Sequence, residues 1–449
     1  MIQPQSIARA VLTNSAWLIA DRIVRMGLGL LVTVWLARQF GPELFGVWNY
    51  AMAIALLFGV VATLGLDGVV VRELLRDKAN AGAIMGTALA LRAGAAVLAL
   101  GGAVLVMLWT RPSQPLVVLL VALNAAVLVF QSAQVIEYHF QARMKSKPAV
   151  VAANAAFLVS TVCRVILLFL GASIEWFGAF LVFEAALGAA LLYVVYRADV
   201  EDRQVWRVDL RMARRLLAES WPLILSGLAV IVYMRMDQVM LSSMVGDAAV
   251  GQFSAALRIA EVWYFIPMAI MTAAFPAMIQ KRADGPQAFE AYVQRLYDMM
   301  AWLGLLVAAS VTALAPSVVP LIYGPAYVEA ATVLSIQIWA GVAVSMSFVH
   351  SKWLLSEGLQ KYGLVYTLVG ACVNISLNLV LIPRHGAVGA AWATLITQFA
   401  PLLIQLFFPK ARRNFMLMLL TVGAPWRLLL SMRIRKEQPD LARDATLLR

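Results

Sequence analysis

The longest polar interruption in this chain reads RADVEDRQVWRVDLRMARR, residues 197–215, and holds six arginines: Arg197, Arg203, Arg207, Arg211, Arg214 and Arg215. Apolar runs of membrane-spanning length lie on both sides of it. Six precede it, near residues 12–37, 44–71, 82–109, 115–140, 148–170 and 175–196. Six follow, near 217–241, 249–275, 297–318, 328–351, 362–382 and 388–409. Each bilayer crossing needs about 20 mostly apolar residues, so the pattern predicts twelve crossings in two blocks of six. The composition agrees: 62% of the residues are apolar and 13% charged, where soluble domains run about 45–50% and about 25%. Mean hydropathy over the chain is +0.82. Twelve crossings of about 25 residues consume about 300, and a water-soluble catalytic domain of any size does not fit in the remainder. The expected fold is an all-α integral membrane protein, with about twelve transmembrane helices in two pseudo-symmetric six-helix lobes around a central cavity.

Working outward from the polar stretch, Lys and Arg alternate between rich and poor connections. With a cytoplasmic N-terminus, the inner segments hold Arg9; Arg72, Arg76 and Lys78; Arg143, Lys145 and Lys147; the six arginines above; Lys281, Arg282 and Arg295; Lys352 and Lys361; and nine more from 410 to 449. That is 27 basic residues inside, against Arg38, Arg111 and Arg384 outside. Short basic loops stay cytoplasmic, so both ends are expected in the cytoplasm. The net charge of +12 is then a topology signal and not the footprint of a nucleic-acid-binding protein.

The expected division is an N-terminal lobe over 1–200, a basic cytoplasmic linker over 201–216, a C-terminal lobe over 217–410, and an amphipathic, basic tail over 411–449. Within the tail, Gly423, Pro425 and Arg427 interrupt the apolar run, and residues 415–432 read as an amphipathic helix lying on the inner leaflet. The first apolar stretch has no small-residue cleavage site after it, so it reads as a span and not as a removed signal peptide. Cys163 and Cys372 stand far apart in apolar runs and suggest neither a disulfide framework nor a metal cluster. The blocks also resemble each other. LARQFGPELFGVWNYAMAI (36–54) aligns without a gap on LSSMVGDAAVGQFSAALRI (241–259), pairing Gly41 with Gly246 and Gly46 with Gly251. Both segments sit at the first outer hairpin of their block, as in transporters built from parallel repeats.

Charges left inside the spans point to function. Six basic residues, Arg22, Arg25, Arg92, Arg164, Arg235 and Arg258, and four acids, Asp21, Glu184, Asp237 and Glu261, fall deep in the apolar runs. Each costs about 2.5–3.5 kcal/mol at a helix centre on insertion scales, and therefore faces protein or water rather than lipid. Asp21, Arg22 and Arg25 share one sector of the first span by i, i+3 and i+4 spacing, and two arginines there leave positive charge that one aspartate does not cancel. Arg258 and Glu261 share a face of the eighth. Arg22, Arg25, Arg258 and Arg92 are thus the candidates for a cationic substrate-binding cavity. Arg164 and Glu184 lie at equal depth on the two arms of a tight hairpin and read as a structural ion pair. Asn374 and Asn378, four apart, read as a bridge between helices. Trp263 and Tyr264, beside Glu261, suit either a sugar or a lipid-facing position. Phosphate-cradling GxxxxGK[ST], HExxH and GxSxG patterns do not occur, and no long outer loop carries paired carboxylates. No enzyme, cofactor or metal site is expected; the pattern is that of a transporter.

The segments ARQFGPELFGVW (37–48), LGLDGVVVREL (64–74), LIYGPAYVEAATVL (321–334) and NISLNLVLIPRHGAVGAAWAT (374–394) together resemble, in the right order, the polysaccharide repeat-unit flippases. These are the O-antigen and capsule translocases of the multidrug/oligosaccharidyl-lipid/polysaccharide exporter superfamily. The resemblance implies a protein of the bacterial inner membrane that carries an undecaprenyl-diphosphate-linked oligosaccharide from the cytoplasmic to the periplasmic leaflet by alternating access. It further implies membrane lipids as neighbours, and the polymerase and glycosyltransferases of the same pathway as partners. Related lipid-linked peptidoglycan-precursor flippases rely on arginines in helices 1, 2 and 8, which Arg22 or Arg25 and Arg258 match in two cases. Guanidinium offers a fork suited to diphosphate oxygens. A multidrug cation antiporter of the same superfamily is the alternative, and a membrane polysaccharide polymerase a lesser one. With no nucleotide site, transport must draw on ion gradients, the membrane potential or removal of product in the outer leaflet, and Glu261, then Asp21, are the candidate ion-coupling acids.

Overall fold

In the computed structural model of the protein, residues 4–199 and 205–421 are described, with side chains from Arg25 onward other than those at 361 and 410. All the long elements among them are helices. They are α1 (Pro4–Thr63), α2 (Asp67–Arg76), α3 (Ala81–Thr110), α4 (Pro115–Gln131), α5 (Val135–Ala142), α6 (Lys147–Phe169), α7 (Ile174–Ala198), α8 (Leu210–Met244), α9 (Asp247–Val262), α10 (Phe265–Ala283), α11 (Pro286–Tyr323), α12 (Val328–Gln337), α13 (Ala340–Ser356), α14 (Lys361–Ile404) and α15 (Pro409–Leu420).

Nine of the described helical stretches, or ten with the bent α12–α13 pair, are long and apolar enough to cross a membrane. Two of them carry two expected crossings each, which brings the described residues to twelve. α1 breaks at Gly41 (φ 70°, ψ 176°) and α14 at Gly386 (φ 56°, ψ −134°). At the second break the chain reverses: a side chain on Gly389 would strike the carbonyl of Leu381, two positions that an unbroken helix holds about 12 Å apart.

The span boundaries read from hydropathy need four corrections, each at a point where the backbone bends inside a continuous apolar run. The second span stops at Thr63, and Leu64 and Gly65 then adopt positive φ (52° and 60°). Gly65 packs there under α8, where a Cβ would lie 3.2 Å from the Ser220 carbonyl. The fourth is interrupted by a short 3₁₀ turn, Ser132–Gln134. The eighth breaks between α9 and α10 at Trp263 and Tyr264, and the tenth bends by 44° between α12 and α13. Hydropathy registers how apolar a segment is, and none of these bends changes that.

Packing follows the membrane rule that small residues face protein while large ones face lipid. On α3, Ala88, Ala95, Ala96, Ala99 and Ala103 are buried, and Leu98 is 76% exposed on the opposite side. Two compact units result. The first gathers the described parts of 1–258 with 316–333 and 374–390, and the second those of 259–315, 334–373 and 391–449.

In the second unit, Trp263 is buried against α13, where it leaves no room for a side chain on Gly341, so it packs on protein and not on lipid. α15 begins six residues before the amphipathic helix expected at 415–432, of which the part beyond residue 421 lies outside the described residues. Its buried face, Ala411, Asn414, Phe415 and Met418, packs on protein, while Met416, Leu419 and Leu420 stay exposed. Asn414 anchors it by donating to Gln405 Oε1 (2.9 Å) and accepting from Tyr297 (3.0 Å). A buried amide needs such partners, and they dock this face of α15 on the protein.

Candidate functional site

The first cluster of interest lies at the end of the helices where the basic residues are few, where the two repeated segments meet within the first unit. Gly41 and Gly246, paired in the alignment, both have positive φ (70° and 127°), a conformation that glycine adopts without steric cost. Five residues on, the second pair makes reciprocal contacts. A Cβ on Gly46 would overlap the backbone carbonyl of Asp247, and a Cβ on Gly251 would overlap that of Pro42. Pro42 and Asp247 are themselves aligned partners. Each repeat therefore presses its glycine onto the same backbone position of the other, as self-complementary contacts about a two-fold axis do.

A polar clamp lies beside this seam. Arg111, just past the end of α3, pairs with Asp247 (3.1 Å), and the pair is largely buried. Arg111 also donates to Ser242 Oγ (2.7 Å) and stacks 4.4 Å over the Tyr50 ring. Ser242 in turn donates to Asp247. Two further links tie the seam to the turn after α11: Tyr327 donates to the Ala37 carbonyl (2.9 Å), and Gln252 donates to the Ala326 carbonyl (2.8 Å) while accepting from the Ala330 N–H (3.0 Å). Sequence reading treated Arg111 and Asp247 as loop residues; their separation of 136 positions gave no signal of the pairing.

The deep charges fall into several separate places. Arg25 on α1 donates to Asn154 of α6 and lies 5.1 Å from the centre of the Phe157 ring. The side chains of Asp21 and Arg22 lie outside the described ones. Arg92 is 2% exposed. It donates to Gln134 (3.0 Å) and to Tyr138, pairs with Asp67 (3.4 Å), and Tyr138 donates to Asp67. This network joins α2, α3, α5 and the turn before α5. Arg164 and Glu184 form an ion pair between α6 and α7, with Ser160 accepting from the same guanidinium (3.0 Å). Arg258 and Glu261 sit one turn apart on α9, both half-buried. The structure thus joins Arg164 to Glu184, and gives Arg25 and Arg92 partners on different helices.

Two groups have partners that no sequence pattern marks. Asp237 on α8 is buried and accepts from Asn378, which also donates to Asn374 (3.0 Å). Of the two asparagines expected to bridge helices, Asn378 reaches across from α14 to α8, while Asn374 accepts from Asn378 within α14; the acid reached is one of the four deep ones. At the basic end, Glu73 is fully buried and pairs with Arg215 (2.5 Å), while Arg72 pairs with Glu219. Glu73 sits in an exposed-looking RELLR run, so its burial was not legible.

The family model described as "Polysaccharide biosynthesis protein" matches residues 11–281, which include both repeated segments, the Arg111–Asp247 clamp and the six deep arginines. The chain belongs to that family. A second model, MatE, matches residues 222–380. Solved structures share the fold at low identity. One is the lipid II flippase MurJ in an inward closed conformation, 12% identical, with 92% of each chain covered and a TM-score of 0.68. Another is an inward-facing multidrug resistance MATE family transporter of the MOP superfamily, 15% identical over 88% of this chain and 95% of that one, with a TM-score of 0.66. A third is a MOP superfamily transporter from Pyrococcus furiosus, 16% identical over 89% and 94%, with a TM-score of 0.57. A search of curated proteins returns no significant match. This member of the polysaccharide biosynthesis family is a multi-pass membrane protein, and it shares its fold with these transporters and with the flippase.

Proposed function

We propose that this protein is a flippase for an undecaprenyl-diphosphate-linked oligosaccharide, which it moves from the cytoplasmic to the periplasmic leaflet of the bacterial inner membrane. The lobes 1–200 and 217–410 rock about the seam, with the linker 201–216 and the tail 411–449 in the cytoplasm. The observation that carries the reading is the match of the polysaccharide biosynthesis model to the part of the chain that holds all the deep arginines. Arg22, Arg25 and Arg258 supply the diphosphate with fixed positive charge where water is scarce, and Arg92, held by its network, supports the same field. The reciprocal glycine seam is the closure at the periplasmic end that alternating access requires. Glycosyltransferases supply the lipid-linked substrate and a polymerase consumes it.

Coupling to protons needs an acid inside the membrane. Glu261 and Asp21 remain candidates, and Asp237 joins them because it is a buried acid whose carboxylate accepts from the Asn378 amide. In reconstituted vesicles, flipping of a lipid-linked oligosaccharide is expected to fall by at least about tenfold for Arg25→Ala and for Arg258→Ala, the loss of one charge-assisted hydrogen bond being worth about 1.5–3 kcal/mol. Lysine at either position rescues in part, since a point charge replaces a fork. Full activity of both alanine variants overturns the site. Asp237→Asn and Glu261→Gln, each assayed with a pH gradient and a potential imposed separately, identify the coupling group.

The multidrug cation antiporter is the second reading, supported by the MatE match over 222–380. Export of an organic cation without flipping of the lipid would establish it. Orientation is tested by thiol labelling of a cysteine placed at Ser113, which is exposed, in a background lacking Cys163 and Cys372. Labelling from outside is expected, and labelling only from inside overturns the topology.

A further inference from the structure

Three basic residues lie at the end of the molecule where such residues are few, and they differ in what occupies them. Arg111 is engaged by Asp247, Ser242 and Tyr50. Arg384 is exposed beside the break at Gly386. Arg38, in the last turn of α1 before Gly41, is exposed and has no ion-pair or hydrogen-bond partner among the described residues. An open cavity of about 550 Å³ lies on its flank, lined by Leu31, Val34, Trp35, Arg38 and Gln39.

The spacing of these residues sorts them into two levels. Leu31, Val34, Trp35 and Arg38 follow i, i+3, i+4 and i+7 and so share one helix face, with Leu31 about 10 Å deeper in the membrane than Arg38. Leu31 is exposed to lipid, and Trp35 is braced edge-on by Phe169 at 4.7 Å. The deep level is thus an apolar track with a rigid aromatic wall. The shallow level is a guanidinium fork beside the Gln39 amide, one turn before the break at Gly41 that ends the span. One acceptor that would repel an anion there, the Ala37 carbonyl, is already occupied by the Tyr327 hydroxyl.

From this arrangement we propose that the flank of α1 over residues 31–39 is a binding site for the diphosphate headgroup of a polyprenyl lipid in the leaflet at this end, with the first isoprene units lying along Leu31 and Trp35. Charge complementarity selects the occupant. A diphosphate diester presents two ionised phosphates in a row, which the Arg38 fork and the Gln39 amide engage together, whereas a phospholipid diester presents one. Arg38 lies about 20 Å along α1 from Arg25 and about 220° around it. It therefore faces away from the interior arginines, and serves lipid that has reached the far leaflet rather than lipid in transit. The inference rests on the flippase reading for the identity of the headgroup.

The test uses the full chain in phosphatidylcholine nanodiscs, with bound lipids counted by native mass spectrometry as a long-chain polyprenyl diphosphate is titrated. Arg38→Ala is expected to lose one bound diphosphate lipid, and Arg38→Lys to bind it more weakly. Arg38→Gln, which keeps a polar side chain, guards against misfolding and should lose it too. Phosphatidylglycerol at equal concentration should not displace it. An unchanged count in Arg38→Ala, or displacement by phosphatidylglycerol, overturns the site. A wild-type protein that binds this lipid through Arg38 but flips no lipid-linked glycan leaves the site standing and overturns the flippase reading.

Discussion

The repeated segments 36–54 and 241–259 meet across the seam with matching backbones and unmatched side chains. Each contributes one positive-φ glycine and one glycine pressed on the other's carbonyl. The hydrogen-bonding side chains are one-sided. The second segment carries Asp247, which engages Arg111 and Ser242, and Gln252, which holds the turn at Ala326. At the aligned positions the first segment has Pro42 and Val47, and it contributes the aromatic residues Phe45, Trp48 and Tyr50 instead. Close backbone approach sets the geometry twice, and hydrogen bonding sets the strength once. A seam built this way closes in one register, yet its polar part can be loosened without disturbing the fit.

The largest expected effect comes from breaking the symmetric part. Gly46→Val and Gly251→Val each place atoms where a carbonyl now sits, so each should abolish flipping in vesicles while membrane insertion is retained. A cysteine pair across the seam, one in each segment, should then fail to cross-link. Loss in one variant and full activity in the other would show that the two contacts are not equivalent.

A smaller effect is expected from the one-sided clamp. Asp247→Asn leaves Arg111 without a charge partner in a mostly buried setting, and should lower stability by about 1–3 kcal/mol. The exchange Arg111→Asp with Asp247→Arg should recover part of it, as a double-mutant cycle on thermal unfolding would show. Additive losses with no recovery would reduce the clamp to two independent residues.

The smallest belongs to a single neutral hydrogen bond. Tyr327→Phe removes the donor to the Ala37 carbonyl and should cost about 0.5–1.5 kcal/mol, with flipping nearly unchanged. A loss as large as that of Gly46→Val would move the functional centre of the seam from the glycines to the turn after α11.

Much of this architecture is visible in the residues themselves. The alternation of basic and sparse connections marks the crossings, and the alignment of Gly41 with Gly246 anticipates two positions of positive φ. The pairing of Arg164 with Glu184 follows from equal depth on a short hairpin. The partners of Arg92 and the burial of Glu73 do not follow from any such pattern. In a soluble helix the polar face identifies the buried one by contrast. In a span, lipid-facing and protein-facing sides are both apolar, so α3 shows by its sequence where the membrane is, but not which neighbour its alanines touch.

The sequence by itself determined that this chain is a membrane protein of about twelve helices, because bilayer thickness and the cost of desolvating charge act on each segment separately. It also determined the family, through motifs distributed along its length. The tertiary structure alone decided that Gly46 meets Asp247 and Gly251 meets Pro42, that Arg111 belongs to the seam, and that Asn414 fastens α15 to the protein. Those outcomes depend on distances between residues far apart in the chain, where hydrogen-bond partners and close backbone contacts are chosen only once the helices have packed.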